Sequence, residues 1–122
     1  MKIRTIRRES IFIPKFNGNR DLPKDEQITV QVKSFPTVTE AQTYKSFRFS
    51  QDSAIEVVYN SDALMLQKHI GKITNIELDG DHEPVISGAS LAKTQALELN
   101  PLISEIREYL LETAEELTEG EN

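Results

Sequence analysis

The chain contains no cysteine and no tryptophan. Without cysteine there are no disulfides and no thiolate metal sites, and a reducing compartment is the simplest home. Glycine and proline number only five each, and no low-complexity tract or internal repeat interrupts the sequence. No apolar run approaches the roughly 18 residues that a membrane span needs. The basic opening MKIRTIRRES is not followed by an apolar stretch, which argues against a secretory signal. What is present is 38% apolar and 28% charged residues, the composition of a soluble globular protein. The 122 residues suffice for one domain, and a chain of this size buries roughly two-thirds of the surface its unfolded form exposes.

Charge is unevenly spread. Residues 1–50 hold ten Lys or Arg against five Asp or Glu, a net of +5, and residues 51–122 hold four against fifteen, a net of −11; together they give −6. Such asymmetry either lets the two halves of one domain attract and solvate each other, or marks a basic surface for nucleic acid. Lys2, Arg4, Arg7, Arg8, Lys15 and Arg20 with Phe12 and Phe16 interleaved have the composition of a single-strand platform. The overall acidity, with pI near 4.9, argues against it.

The clearest strand is QITVQVK, residues 27–33, where Ile28, Val30 and Val32 share one face. Ile3 to Ile6 and Ser10 to Ile13 also read as strand material, the second ending at Pro14. Between strands 10–14 and 27–33 lies FNGNRDLPKDEQ, which is long for a hairpin connection and so a candidate contact loop. Asn17-Gly18 supplies the reversal, and Arg20, Asp21, Lys24, Asp25 and Glu26 keep it solvated. Thr37-Val38-Thr39-Glu40 has the capping-box pattern and predicts a short helix over 38–45. Phe47 and Phe49, then Ile55, Val57 and Tyr59, alternate around a polar turn and predict a second hairpin. From Ser61, the residues Ala63, Leu66, Ile70 and Ile73 fall on one helical stripe, capped by Asn60 or Ser61. Ile76 and Leu78 predict a short strand ending at Asp79-Gly80. Ser87 caps a helix through about residue 96, and Asn100-Pro101 opens the last helix. That helix carries Ile103, Ile106, Leu110, Ala114 and Leu117 on one face and Glu108, Glu112, Glu115 and Glu116 opposite. The expectation is an α+β fold, a small N-terminal antiparallel sheet of two hairpins packed with about three helices. A single domain spans 1–117, with 118–122 as a flexible acidic tail.

No catalytic signature stands out. FNGNRD has one glycine, lacks a Gly-Lys-Ser/Thr ending and precedes a strand, so it is not a phosphate loop. Asp79, Asp81, His82 and Glu83 are dense in oxygen and nitrogen donors, but their spacing misses the EF-hand pattern and no second histidine completes a zinc site. A solvated acidic turn is the better reading. His69 sits beside an apolar stripe with no nucleophile elbow in the chain, and reads as a surface or boundary histidine. The chain is therefore expected to be no enzyme, with no catalytic residue, cofactor or metal. On the last helix, Tyr109 and Leu111 flank the core stripe. They face either a partner helix or another element of the same domain. Phe16, Arg20, Tyr109 and Leu111 are the candidate partner-contact residues.

In order, the segments IFIPKFNGNRDLPKDEQITVQVK, PTVTEAQ, ALMLQKHIGKITNIEL, ISGASLAK and NPLISEIREYLLET resemble the small tail assembly chaperones of long-tailed, siphovirus-like phages and prophages. Those proteins are similar in having an N-terminal strand pair, a Pro-Thr-started segment, a domain helix, a short Ser/Gly-started helix and a Leu-Ile-x-Glu-Ile type C-terminal helix. The resemblance covers about residues 10–115. It implies a non-catalytic cytoplasmic protein of the bacterial host cell that holds the tape-measure protein soluble and recruits tail-tube subunits, without entering the finished virion. It also implies that a longer form can arise by ribosomal frameshifting, and it transfers no particular functional residue. Two alternatives stand beside it: a structural virion protein for tail completion or head–tail joining, and a small nucleic-acid-binding module.

Overall fold

The computed structural model describes residues 1–2, 10–49 and 55–119. The expected strand at Ile3 to Ile6 and the turn at 50–53 lie outside these residues. Three strands, β1 (Ser10–Phe12), β2 (Thr29–Val32) and β3 (Ile70–Thr74), form an antiparallel sheet with β2 in the centre. Four helices, α1 (Val38–Phe49), α2 (Ile55–His69), α3 (Gly88–Lys93) and α4 (Asn100–Glu119), complete an α+β fold. The hairpin of β1 and β2 is the one the alternation predicts, with Ser10 opposite Val32 and Phe12 opposite Val30.

The second hairpin is not formed. Phe47 and Phe49 end α1, and Ile55, Val57 and Tyr59 begin α2. Short runs rich in aromatic and β-branched residues carry no period long enough to separate strand from helix, and the helices on either side set the outcome. α1 begins where expected, with a reciprocal capping box: Thr37 Oγ1 accepts from the Glu40 amide at 3.1 Å, and Glu40 Oε1 accepts from the Thr37 amide at 3.1 Å. It then runs four residues beyond the predicted end.

The stripe from Ala63 to Ile73 is divided between two elements. Leu66 is buried from α2, whereas Ile70 and Ile73 are buried from β3. Val30 pairs with Ile73 and Val32 with Ile70, so three steps on β3 answer two on β2. This bulge turns residues three apart to the same face of the sheet, and their helix-like spacing follows from it. Ser61 lies within α2 and is buried, not a cap. Ile76 and Leu78 are not in a strand, and Asn75, with φ of 65°, turns the chain out of β3.

Phe12, Val30, Val32, Ile70 and Ile73 form the sheet's inner face. Met65 and Leu66 from α2, Leu91 from α3, and Leu102, Ile106 and Leu110 from α4 close over it. Burying each of these large side chains contributes about 1.5–3 kcal/mol. Leu102 was absent from the predicted α4 stripe yet is fully buried. Asn100 already has helical angles, φ −55° and ψ −42°, so it continues the preceding 3-10 turn (Leu97–Leu99) instead of capping α4. α4 also extends to Glu119, two residues into the expected tail. Between α2 and α4, the guanidinium of Arg107 donates to Asp62 at 3.0 Å in a largely buried pair.

α3 is capped as predicted, Ser87 accepting from the Ser90 amide at 3.2 Å, but it ends at Lys93. Its first residue touches the end of α2. A Cβ on Gly88 would lie 2.3 Å from the Leu66 carbonyl oxygen and 2.5 Å from that of Ile70. Neither backbone atom can retreat cheaply. Gly88→Ala is therefore expected to destabilise the fold by about 3 kcal/mol in urea titration. An unchanged midpoint would show that α3 does not dock in this way.

Candidate partner-binding groove

The loop between β1 and β2 is held at several points. Asn17 and Gly18 both take left-handed angles, φ 47° and 71°, and reverse the chain inside a 3-10 segment (Phe16–Asp21). Asn tolerates this region better than most residues and glycine enters it freely. Asn19 then points inward. Its Nδ2 donates to the carbonyls of Pro14 at 2.9 Å and Ile28 at 3.0 Å, while Oδ1 accepts from the Ile28 amide at 2.6 Å. One side chain thus joins the end of β1 to the approach to β2. Gln27 Nε2 donates to the carbonyls of Arg20 and Leu22, and Asn75 Nδ2 to those of Asp25 and Gln27. Glu105 of α4 accepts from the amides of Lys15 and Phe16 at 2.6 and 3.0 Å.

This bracing leaves an open groove of about 590 Å³ between the loop, the segment after β3 and the turn before α4. Its apolar lining comes from Phe16, Leu22, Ile28, Ile76, Leu78 and Leu99. Leu22 is exposed, Leu99 is buried, and the other four are half-buried against the core. Asp25, Glu26, Glu77 and Glu98 also line the groove, and all four are exposed. No lysine or arginine is among the lining residues.

Of the candidate contact residues, Phe16 lies in this groove. Arg20 is exposed on the same loop, its Nε donating to the Ile13 carbonyl at 2.9 Å. Tyr109 and Leu111 lie elsewhere, the first half-buried and the second buried within the domain. The Tyr109 ring stacks on Phe12 at 4.1 Å between centroids, meets Phe35 edge-on, and shares a hydrogen bond with Ser10 Oγ at 2.9 Å. Leu111 is 7% exposed and packs with Ala41 and Ala114 between α1 and α4. Phe12, buried under Tyr109, is not a stacking platform for a base. Arg4, Arg7 and Arg8 lie outside the described residues. Asp79, Asp81, His82 and Glu83 are all exposed, and no group of three or more such residues is arranged to hold a metal among the described residues.

His69 departs from the sequence reading. It ends α2 at 1% exposure, not at the surface. Turning inward there, it reaches both α1 and the segment after β2. Nδ1 lies 3.0 Å from the Ser34 carbonyl oxygen and 3.1 Å from Ser34 Oγ, and Nε2 lies 3.0 Å from Tyr44 Oη. A carbonyl can only accept, so Nδ1 carries the proton and Nε2 accepts from the Tyr44 hydroxyl. Both ring nitrogens are thereby occupied in the neutral form. Glu40 Oε2 stands 3.9 Å from Nε2 and is bonded to Lys68. Burial holds the His69 pKa below its ordinary 6.5, outweighing the opposing pull of Glu40. Glu40 itself is held below the usual carboxylate range, first by the Lys68 hydrogen bond and then by the Thr37 amide. The arrangement joins α1, α2 and the chain after β2 through one imidazole.

Comparison with protein-family models, curated proteins and solved structures returned no match to this chain. The sequence missed most of the groove because its walls come from three separated segments. One local signal pointed there: Ile76 and Leu78 alternate like a strand but have no strand partner, and their side chains line the groove instead.

Two outcomes follow. Asn19→Ala removes the side-chain partner of the Pro14 and Ile28 backbone groups, and is expected to cost about 3 kcal/mol in chemical denaturation. A loss below about 0.5 kcal/mol would mean that the loop does not depend on it. His69 is depressed in the folded state, so between its folded pKa and 6.5 the unfolded chain binds more protons. Its contribution is therefore complete above pH 6.5 and declines as pH falls through that window. His69→Gln should be less stable at neutral pH and lose this part of the acid dependence; equal slopes in the two proteins would contradict the assignment.

Proposed function

We propose that the chain is a non-catalytic assembly chaperone for phage or prophage tails, acting in the bacterial host cytoplasm on the tape-measure protein and tail-tube subunits. The observation that carries this reading is the groove. It is an open groove at a braced loop, part apolar and part acidic, where a partner's apolar side chains can be covered and later released. A tape-measure protein displays long apolar helical stripes that need reversible cover until the tube forms around it. The ordered motifs from IFIPKFNGN to NPLISEIREYLLET supply the identity of these partners by resemblance. Among the described residues no helix is long and apolar enough to cross a membrane, and the reading requires none.

The test is affinity capture of the tagged chain from cells expressing its neighbouring genes, followed by mass spectrometry. Recovery of a very long, helix-rich tape-measure protein or a tail-tube subunit is expected, with the chain itself missing from purified particles. Its presence in particles would favour a structural virion protein. Capture of nucleic acid alone, weakening steeply with salt, would replace the reading with the nucleic-acid module.

A further inference from the structure

We propose that the groove between the β1–β2 loop and the segment after β3 takes a cationic amphipathic helix, with apolar side chains seated inward and Lys or Arg along its flanks. This deepens the chaperone reading by naming the chemistry of the segment that is held, and rests on that reading only for the partner's identity.

The floor selects the apolar stripe. Phe16, Ile28, Ile76 and Leu78 are half-buried from below and open toward the groove, with Leu22 exposed above them on the loop. A volume of about 590 Å³ lies within the range of roughly 300–1,000 Å³ typical of pockets that enclose a compact ligand. It has room for a few apolar anchor side chains from one face of a helix.

The carboxylates select the charge. Asp25 and Glu26 approach from the loop, Glu77 from the segment after β3, and Glu98 from the turn before α4. They come from three separate segments, so the local negative field does not arise from one acidic run. None of the four is among the described ion pairs or side-chain acceptors. An anionic helix would be repelled there, whereas Lys or Arg flanking an apolar stripe would meet carboxylates on several sides. Such complementarity speeds encounter and rejects wrong partners more than it adds raw affinity.

The wall is preformed. Asn19, Gln27 and Asn75 fix the loop backbone by side-chain hydrogen bonds, and Glu105 ties its start to α4. A partner therefore meets a surface whose ordering cost was met on folding, which favours binding over a loop that must close.

The experiment uses the full chain and two labelled synthetic peptides, an amphipathic Leu/Lys helix and the same sequence with Glu in place of each Lys, read by fluorescence anisotropy. The Leu/Lys peptide is expected to bind, the Leu/Glu peptide is not, and affinity should fall with added salt. The double variant Glu77→Lys/Glu98→Lys alters two exposed positions of the lining and should bind the Leu/Lys peptide about tenfold more weakly. Glu112→Lys/Glu116→Lys makes the same change in net charge on exposed residues of α4, about 20–25 Å along the helix from Leu99. It should bind nearly as well as the unaltered chain. Equal losses in the two double variants would reduce the effect to net charge and overturn the proposal, as would equal binding of the two peptides or none. A homodimer that dissociates on Glu77→Lys/Glu98→Lys would place a second copy in the groove and also overturn it. Because the peptides are read without tail proteins, the groove can fail while the capture experiment succeeds, and the reverse.

Discussion

A single buried amide ties the end of β1 to the approach to β2. The Asn19 side chain stands where a strand partner would, donating to Pro14 and Ile28 and accepting from Ile28. Without it, a connection of this length between two short strands would be governed by loop entropy. With it, the 3-10 segment is fixed against the domain, Phe16 and Leu22 are set along one side of a groove, and Asn75 can close the loop's far end. Gln27, Asn75 and Glu105 brace the same loop at further points, the last tying its start to α4.

The helical layer is held by a different device. His69, with both ring nitrogens engaged, joins α1, α2 and the chain after β2. Arg107 and Asp62 join α4 to α2. Polar groups placed at such joints are costly to bury and specify which helices meet only when their partners are in place. Gly88 adds a steric condition, because α3 can approach α2 only where no side chain intervenes.

The features legible in the sequence were those with local causes. Asn17-Gly18, Thr37 with Glu40, and Ser87 each act on backbone within three residues, and each does what its chemistry predicts. The β2 alternation was legible because a half-buried central strand has a strict period of two. Misreadings began where tertiary structure sets the outcome. The β3 bulge gave Ile70 and Ile73 a helical spacing inside a strand. The run from Phe47 to Tyr59 has strand-forming residues that belong to two helices. For Tyr109 and Leu111 the sequence left both a partner helix and another element of the domain open, because nothing near them in sequence reports the aromatics and α1 that pack on them. His69 was hidden for the same reason: Ser34 and Tyr44 lie 35 and 25 residues away.

The stacking of Phe12 on Tyr109, with the Ser10 hydroxyl bonded to the Tyr109 phenol across 99 positions, has a consequence for how the chain is made. The first hairpin emerges from the ribosome long before the helix that covers it. Until α4 is synthesised, the inner face of β1 and β2 lacks Leu102, Ile106, Leu110 and the Tyr109 ring. Completion of this fold is therefore tied to synthesis of α4. A nascent chain cut short before α4 is left with an uncovered sheet, and cellular quality control has a clear hydrophobic surface by which to find it.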